Sequence, residues 1–226
     1  MTRLSARTIA RSAALSTRNE PQVTIHLRKM YVDCRFGQLH LHTAFPSSGG
    51  FDELTPLVCV PPLTKSGRVF RPLLKDLGRD RSAYAPDLPG CGESDAPHQP
   101  ADVQDQAGAI LDLLDSLRLR QVDLLGYQGG SMAAVELAIA RPEQVRRVVL
   151  MGVPASEASF QAGERLPLLR QPVLVLRPRD ETWESTGRTE GLLREARRIE
   201  LPNSGANVIE TATDELTGYL REFLDR

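Results

Sequence analysis

The sequence predicts an α/β fold: one mostly parallel sheet with helices on both faces and an N-terminal antiparallel hairpin supplying edge strands. Three observations carry this. From residue 55 onward, short and almost wholly apolar runs alternate with amphipathic stretches. That is the pattern of strands buried on both faces and joined by covering helices, with right-handed crossovers. Before residue 55, two alternating segments in 26–45 flank a break at Arg35 to Gln38 and read as a hairpin. Finally, 226 residues with 41% hydrophobic content suit one domain with a real core.

Each element has its own local reason. Pro46 to Gly50 is a loop by composition. Thr55 to Val60 is a short buried strand, stopped by Pro61-Pro62, which lack backbone donors. Val69, Phe70, Leu73, Leu74 and Leu77 form a helical stripe that ends before Gly78. Arg81 to Ala85 is the next strand. Val103, Ala107, Ile110, Leu114 and Leu117 recur at three and four, so they lie on one face of a helix starting near Ala101 or Asp102. Val122 to Leu125 is a strand, Met132 to Ala140 a small-residue helix ended by Arg141-Pro142, and Val148 to Met151 a further strand. A connection over Pro154 to Gln171 leads to strand Val173 to Leu176. The remainder reads as a helix over Glu190 to Ala196, a strand over Arg198 to Leu201, a loop over Pro202 to Ala206, and a last helix burying Leu216, Tyr219, Leu220, Phe223 and Leu224.

The 28 basic and 29 acidic residues almost cancel, so no global charge draws the chain to nucleic acid or to an anionic membrane. No apolar run approaches the roughly 20 residues that span a bilayer. Three cysteines, Cys34, Cys59 and Cys91, are an odd set without metal-ligand spacing; they point to a reducing, cytoplasmic setting. The first twenty residues carry Arg3, Arg7, Arg11 and Arg18 and no acid before Glu20, the pattern of an organellar transit peptide, which is the alternative location. Residues 1–24 are expected to be a flexible or partly docked segment, and 25–226 a single domain. His40 and His42 share one strand face, but no further ligand accompanies them in the sequence, so the expectation is no metal and no cofactor.

Three motifs resemble the α/β-hydrolase family. Asp87-Leu-Pro-Gly-Cys-Gly-Glu-Ser-Asp95, just after a strand, is similar to the loop that follows the family's fourth strand. Gly126-Tyr127-Gln128-Gly129-Gly130, with the small-residue helix and the strand after Pro142, resembles the nucleophile elbow and its flanking elements. Pro172 to Arg177 resembles the strand before the family's acid. The likeness covers roughly residues 27–226.

The resemblance implies a Gly-x-Ser-x-Gly elbow, yet Gln128 stands at the nucleophile position, and an amide is a poor nucleophile. Glu181 best matches the acid position, with Asp180 as the close alternative. Ala206 stands where the family has its histidine. The oxyanion donors implied by the family are the N–H groups of Leu63 and Gly129, and together with Tyr127 and Gln128 they mark a possible groove. Ser131, three residues past the elbow tip, reads as a first-turn helix hydroxyl. Cys91 reads as a packed side chain, and His98 is a remote alternative base. Only about 20 residues separate Met151 from Pro172, so no full cap domain fits there. Phe160, Leu166, Leu168 and Leu169 in this connection would cover the sheet edge or form a partner surface.

Two functions are therefore expected. The first is a pseudohydrolase that has lost Ser–His–acid hydrolysis and binds a small ligand or a protein partner, with self-association open through the shortened connection. The alternative is an enzyme acting on a small acyl or carbonyl substrate by non-triad chemistry around Gln128.

Overall fold

The computed structural model describes residues 25–47, 53–157, 160–205 and 207–226. The chain builds an eight-stranded sheet. Its elements are β1 (His26–Cys34), β2 (Gly37–Phe45), β3 (Leu54–Val60), α1 (Arg71–Leu77), β4 (Arg81–Pro86), α2 (Val103–Ser116), β5 (Val122–Tyr127), α3 (Gly129–Ala140) and β6 (Val145–Met151). There follow β7 (Ser156–Glu157), β8 (Phe160–Gln161), α4 (Ala162–Arg165), β9 (Val173–Pro178), α5 (Trp183–Thr189), β10 (Ala196–Leu201), α6 (Val208–Thr211) and α7 (Thr213–Leu224). The strand order is β1-β2-β4-β3-β5-β6-β9-β10. β1 pairs with β2, and β2 with β4, antiparallel; every pairing from β4 to β10 is parallel. The α/β class, the hairpin edge and the helices on both faces are thus as the sequence reads.

The two faces are dressed differently. On one, α2 and α3 pack Ile110, Leu113, Met132, Val135 and Leu137 against Val58, Leu124, Val148 and Val175. On the other, Phe70, in the 3₁₀ turn before α1, joins Leu73 and Leu74 of α1 and Leu216 and Leu220 of α7 against Leu57, Cys59, Leu125, Val149 and Leu174. Successive strand residues feed alternate cores, which is why the centres of β5 and β9, Leu124–Leu125 and Val173–Leu176, are apolar on both faces. Asp102 caps α2: its side chain accepts from Asp105 N–H while Asp105 reaches back to the cap. At the opposite end of the sheet from the loops after β3, β5 and β9, Arg81 is fully buried and pairs with Asp80 and Asp225, while Arg146 grips buried Asp123 through two nitrogens at 3.0 and 2.6 Å.

One expectation needs correction. The helix expected over Glu190 to Ala196 lies earlier, at Trp183–Thr189, and a 3₁₀ turn over Glu190–Leu192 precedes β10, which already begins at Ala196. That helix hides threonines rather than an apolar stripe: Thr186 and Thr189 are buried, and Thr186 Oγ1 accepts from Val153 N–H at 2.8 Å. The connection after β6 is short, as the sequence implies. It forms the small β7–β8 pair and the single turn of α4, a minimal insertion with no large cap. Leu166 and Leu169 are buried beneath it, and Leu168 is exposed. The N-terminal segment 1–24, the end of the loop before β3 and the side chain of Phe160 lie outside the described residues.

Candidate active site

The elbow is built by backbone crowding. β5 runs straight into α3, and the reversal falls on Gln128, whose φ of 48° and ψ of −124° lie where L side chains are strained. Gln128 N–H donates to Met151 O at 2.8 Å, which ties the tip to β6. The flanking glycines are there because nothing else fits. A Cβ on Gly126 would sit 2.5 Å from the Ser131 Cα, and one on Gly130 would sit 2.3 Å from the carbonyl oxygens of Val60 and Pro61. Ser131 is fully buried and its hydroxyl donates to Gly126 O at 2.9 Å, so it fastens the turn and is not offered to a substrate. Tyr127 is buried, stacks edge-on against Phe70, and has its phenol pushed well above its ordinary pKa by burial and then by the negative charges of Asp180 and Glu181.

Gln128 touches the acid loop directly. Its Nε2 donates to Glu181 Oε1 at 2.8 Å and to Asp180 Oδ2 at 3.4 Å. Asp180 is held from behind: its Oδ1 accepts from Thr182 N–H at 2.8 Å and from the Thr182 hydroxyl at 2.6 Å. Gly152, with φ of 65°, lies beneath all three; a Cβ there would come 2.9 Å from Thr182 Oγ1 and 3.5 Å from both Asp180 Oδ2 and Gln128 Cγ. Both acid-position residues therefore converge on the elbow tip, where the Nε2 of an amide fills the space between them and the backbone turn. Leu63 packs against the other side of the tip, since a Cβ on Gly129 would lie 2.5 Å from its Cγ. The loop after β10 approaches the acid loop through Arg179 N–H and Ser204 Oγ at 3.4 Å. Ala206 itself lies outside the described residues.

The remaining sequence candidates sort by geometry. The Cys91 thiol donates to Leu63 O at 3.1 Å and is pushed above its ordinary pKa by burial and by Asp87, which is the environment of an inert thiol. His98 is exposed on its loop. His40 and His42 do share a face of β2, and the structure adds a neighbour that spacing along the chain could not show. Asp87, 1% exposed, accepts from Ser66 Oγ, from Gly67 N–H at 2.7 Å, from Glu93 N–H at 2.9 Å, and bonds His40 Nδ1 at 2.9 Å. Ligand atoms of His40, His42 and Asp87 lie within 4.8 Å of one another. Both Asp87 oxygens are already committed to donors, so the arrangement reads as a saturated carboxylate that fixes the loops after β3 and β4. The signal for it in the sequence is Gly92, where any Cβ would collide with Asp87 Oδ2.

Residues 55–172, just over half of the chain, match the family model described as alpha/beta hydrolase fold. The chain belongs to the α/β-hydrolase fold family. A 2-hydroxymuconate semialdehyde hydrolase of Pseudomonas sp. (strain CF600) is 40% identical over 101 residues, which is 43% of this chain and 34% of that protein. An (E)-2-((N-methylformamido)methylene)succinate hydrolase of Acinetobacter baylyi is 26% identical over 166 residues, 71% of this chain and 62% of that relative. The chain thus spans between about a third and two thirds of the length of these relatives. Among solved structures, the enol-lactonase of Burkholderia xenovorans LB400 superposes with a TM-score of 0.79 at 16% identity, covering 87% of this chain and all of that one. The naproxen esterase of Bacillus subtilis superposes at 0.74 with 15% identity, covering 89% and 92%. These superpositions establish the α/β-hydrolase fold and leave the chemistry to the site. Among the described residues, no helix is long and apolar enough to cross a membrane.

A stability prediction isolates the elbow strain. Gln128→Gly and Gln128→Ala both remove the amide and its bonds, but only glycine relaxes the positive φ. Gln128→Gly is expected to be more stable than Gln128→Ala by about 1 kcal/mol or more in urea unfolding. Equal stabilities would mean that the tip is not strained.

Proposed function

We propose that this α/β-hydrolase-fold protein acts on a small acyl or carbonyl compound at the Gln128 elbow, without a covalent acyl-enzyme. Water is the nucleophile. Glu181 takes its proton as the water oxygen attacks the carbonyl carbon, the oxyanion that forms is held by the N–H groups of Leu63 and Gly129, and collapse returns the proton to the leaving group. Gln128 steadies Glu181 in this reading, and Asp180, locked by Thr182, sets the electrostatics beside it. The single observation that carries the proposal is the contact of Gln128 Nε2 with Glu181 at 2.8 Å on a strained elbow. Strain of this kind costs about 1–3 kcal/mol and persists where a site needs the geometry. Support also comes from the similar proteins, whose names describe hydrolases of small carbonyl acids.

The test is turnover of small enol-lactones and of 2-hydroxy-6-oxo-dienoates by the purified chain. Glu181→Gln is expected to lower kcat by about a hundredfold, a usual share for a general base. Mass spectrometry during turnover should show unmodified protein. An acyl adduct would overturn the water mechanism.

A second reading is favoured by one feature: a glutamine stands at the elbow tip, and the nearby Ser131 hydroxyl is turned inward. This reading is a pseudohydrolase that binds such a compound, or a protein partner, without reaction. Saturable binding with no turnover above buffer would select it.

A further inference from the structure

The sheet begins at β1, and among the described residues no strand pairs with the outer side of β1. Which of its backbone groups face outward follows from the neighbours of β2. His40 N–H donates to Ser94 Oγ at 2.9 Å, and His40 O accepts from Asp87 N–H at 2.8 Å, so His40 turns both main-chain groups away from β1. In an antiparallel ladder its partner Tyr31 turns away likewise, and alternation carries this to Leu27, Lys29 and Asp33. The Asp33 carbonyl shows it directly. It accepts from Ser116 Oγ at 3.1 Å, where the end of α2 closes off that part of the edge. Among the described residues, Leu27, Lys29 and Tyr31 are left with open N–H and C=O groups. Their side chains share one face of the strand. Leu27 and Tyr31, 38% and 49% exposed, are two of the four exposed large hydrophobic residues, so apolar surface flanks an open ladder.

We propose that this edge pairs with the same edge of a second copy of the chain, antiparallel about a two-fold axis at Lys29, so that two sheets join into one. The register follows from the open positions. Leu27 and Tyr31 are equidistant from Lys29, so an axis there is the one antiparallel register that engages all three outward residues of each copy. Moving the axis toward Tyr31 would bring Asp33, already covered by Ser116, into the ladder. With the axis at Lys29, each Leu27 lies opposite the partner's Tyr31, an aliphatic–aromatic pair that favours strand pairing. Tyr31 is already placed for this: its hydroxyl donates to Glu93 Oε2 at 3.1 Å and its ring lies 5.1 Å from that of His40. A ring fixed in advance loses little freedom on association.

Charge fits the same register. Lys29 on the axis meets the partner's Lys29, and like charges directly opposite each other disfavour pairing. Glu93 removes the objection, because it is ion-paired with Lys29 in each copy and two neutral pairs then meet. On the other face, Arg28 lies opposite the partner's Met30, so no like charges meet there. The contrast with the far edge of the sheet is informative. β10 carries Arg197, Arg198 and Glu200, all in ion pairs, and has no exposed large hydrophobic residue. Such a charged edge resists pairing with another sheet. β1 presents apolar side chains on either side of one neutralised lysine.

The experiment is sedimentation equilibrium of the full chain from about 1 to 200 μM, a range that brackets weak specific association. Amide hydrogen exchange of Lys29 and Tyr31 is followed at both ends of that range. A reversible dimer with a Kd on the order of 10 μM is expected, as for a contact at the small end of specific interfaces. Leu27→Glu and Tyr31→Lys should each weaken it by about tenfold or more. The double variant sets opposite charges across the axis and should recover most of that loss, which also rules out misfolding as its cause. Glu93→Gln leaves the two ammonium groups bare and should weaken the dimer by about threefold or more. Both N–H groups should be protected at high concentration and exchange freely at low concentration. A monomer throughout, a dimer indifferent to Tyr31→Lys, or a double variant as weak as the single ones overturns the proposal. Protection that persists in the monomer also overturns it and assigns the edge to residues 1–24 of the same chain. Elbow chemistry is unaffected by either result.

Discussion

Replacing Gly130 by alanine is expected to destabilise the protein by about 3 kcal/mol or more in urea unfolding, at the severe end of single substitutions. The new Cβ would stand 2.3 Å from two carbonyl oxygens, those of Val60 and Pro61. These are backbone atoms at the end of β3, which is hydrogen-bonded on both sides, to β4 and to β5. No rotamer change relieves the overlap; α3 or β3 must move, and both belong to the tightly packed centre of the sheet. Gly126→Ala should behave alike, because its Cβ would strike Ser131 Cα at 2.5 Å. Gly218 is the internal control. It lies in α7 with nothing within 4 Å of an added Cβ, so Gly218→Ala should stabilise by about 0.5–1 kcal/mol through helix propensity alone. If Gly130→Ala cost no more than about 1 kcal/mol, the elbow would be far softer than its contacts imply.

The contrast between Gly130 and Gln128 also shows what the sequence makes legible. Two glycines at fixed spacing after an apolar run announce a sharp turn, because their reason is local crowding. The strands announce themselves for the same kind of reason: Val122 to Leu125 and Val173 to Leu176 are apolar at every position or nearly so because two cores claim alternate side chains. α5 leaves no apolar period to detect because its buried side is Thr186 and Thr189, whose hydroxyls bond Val153 N–H and Ser185 O. Arg81 opens a strand in the sequence, yet it is fully buried, its charge met by its neighbour Asp80 and by Asp225, 144 positions later. The site follows the same division. That Gln128 replaces a nucleophile is visible residue by residue. That its amide bonds Glu181, 53 positions later, depends on how β5, β6 and β9 align their ends.

Neighbourhoods of this kind also tie the elbow to the histidines of β2 through one shared loop. Ser66 faces His42 on one side and donates to Asp87 on the other, and Gly67 N–H donates to the same carboxylate. The loop bearing these residues also bears Leu63, which packs on Gly129 and accepts from Cys91. A change at Asp87 therefore releases both the loop beside His42 and one wall of the elbow.

Asp87→Asn is accordingly the second substitution with a large expected effect, about 3–5 kcal/mol, the range for breaking a buried charged partner. Its carboxylate, itself buried, collects two backbone N–H groups, a hydroxyl and an imidazole, and the bonds to His40 and Gly67 are fully shielded from water. An asparagine keeps the shape but turns an NH₂ toward donors, leaving at least one buried N–H unmatched. The pH dependence separates this role from simple loss of packing. Burial acts to raise the Asp87 pKa, but the bonds from Ser66, Glu93 N–H, His40 and Gly67 N–H outweigh it, and the folded value falls below the ordinary 3.8. The unfolded chain then binds the proton more readily than the native one, so stability from this group is full above 3.8 and declines as pH falls toward the lower folded value. The stability gap between the wild type and Asp87→Asn should be constant from pH 7 to 5 and narrow below about pH 4. A gap that stayed constant into acid would place the effect in shape alone. Loss of ligand binding at the elbow is expected in Asp87→Asn under conditions where it remains folded, because this carboxylate holds the loop that carries Leu63.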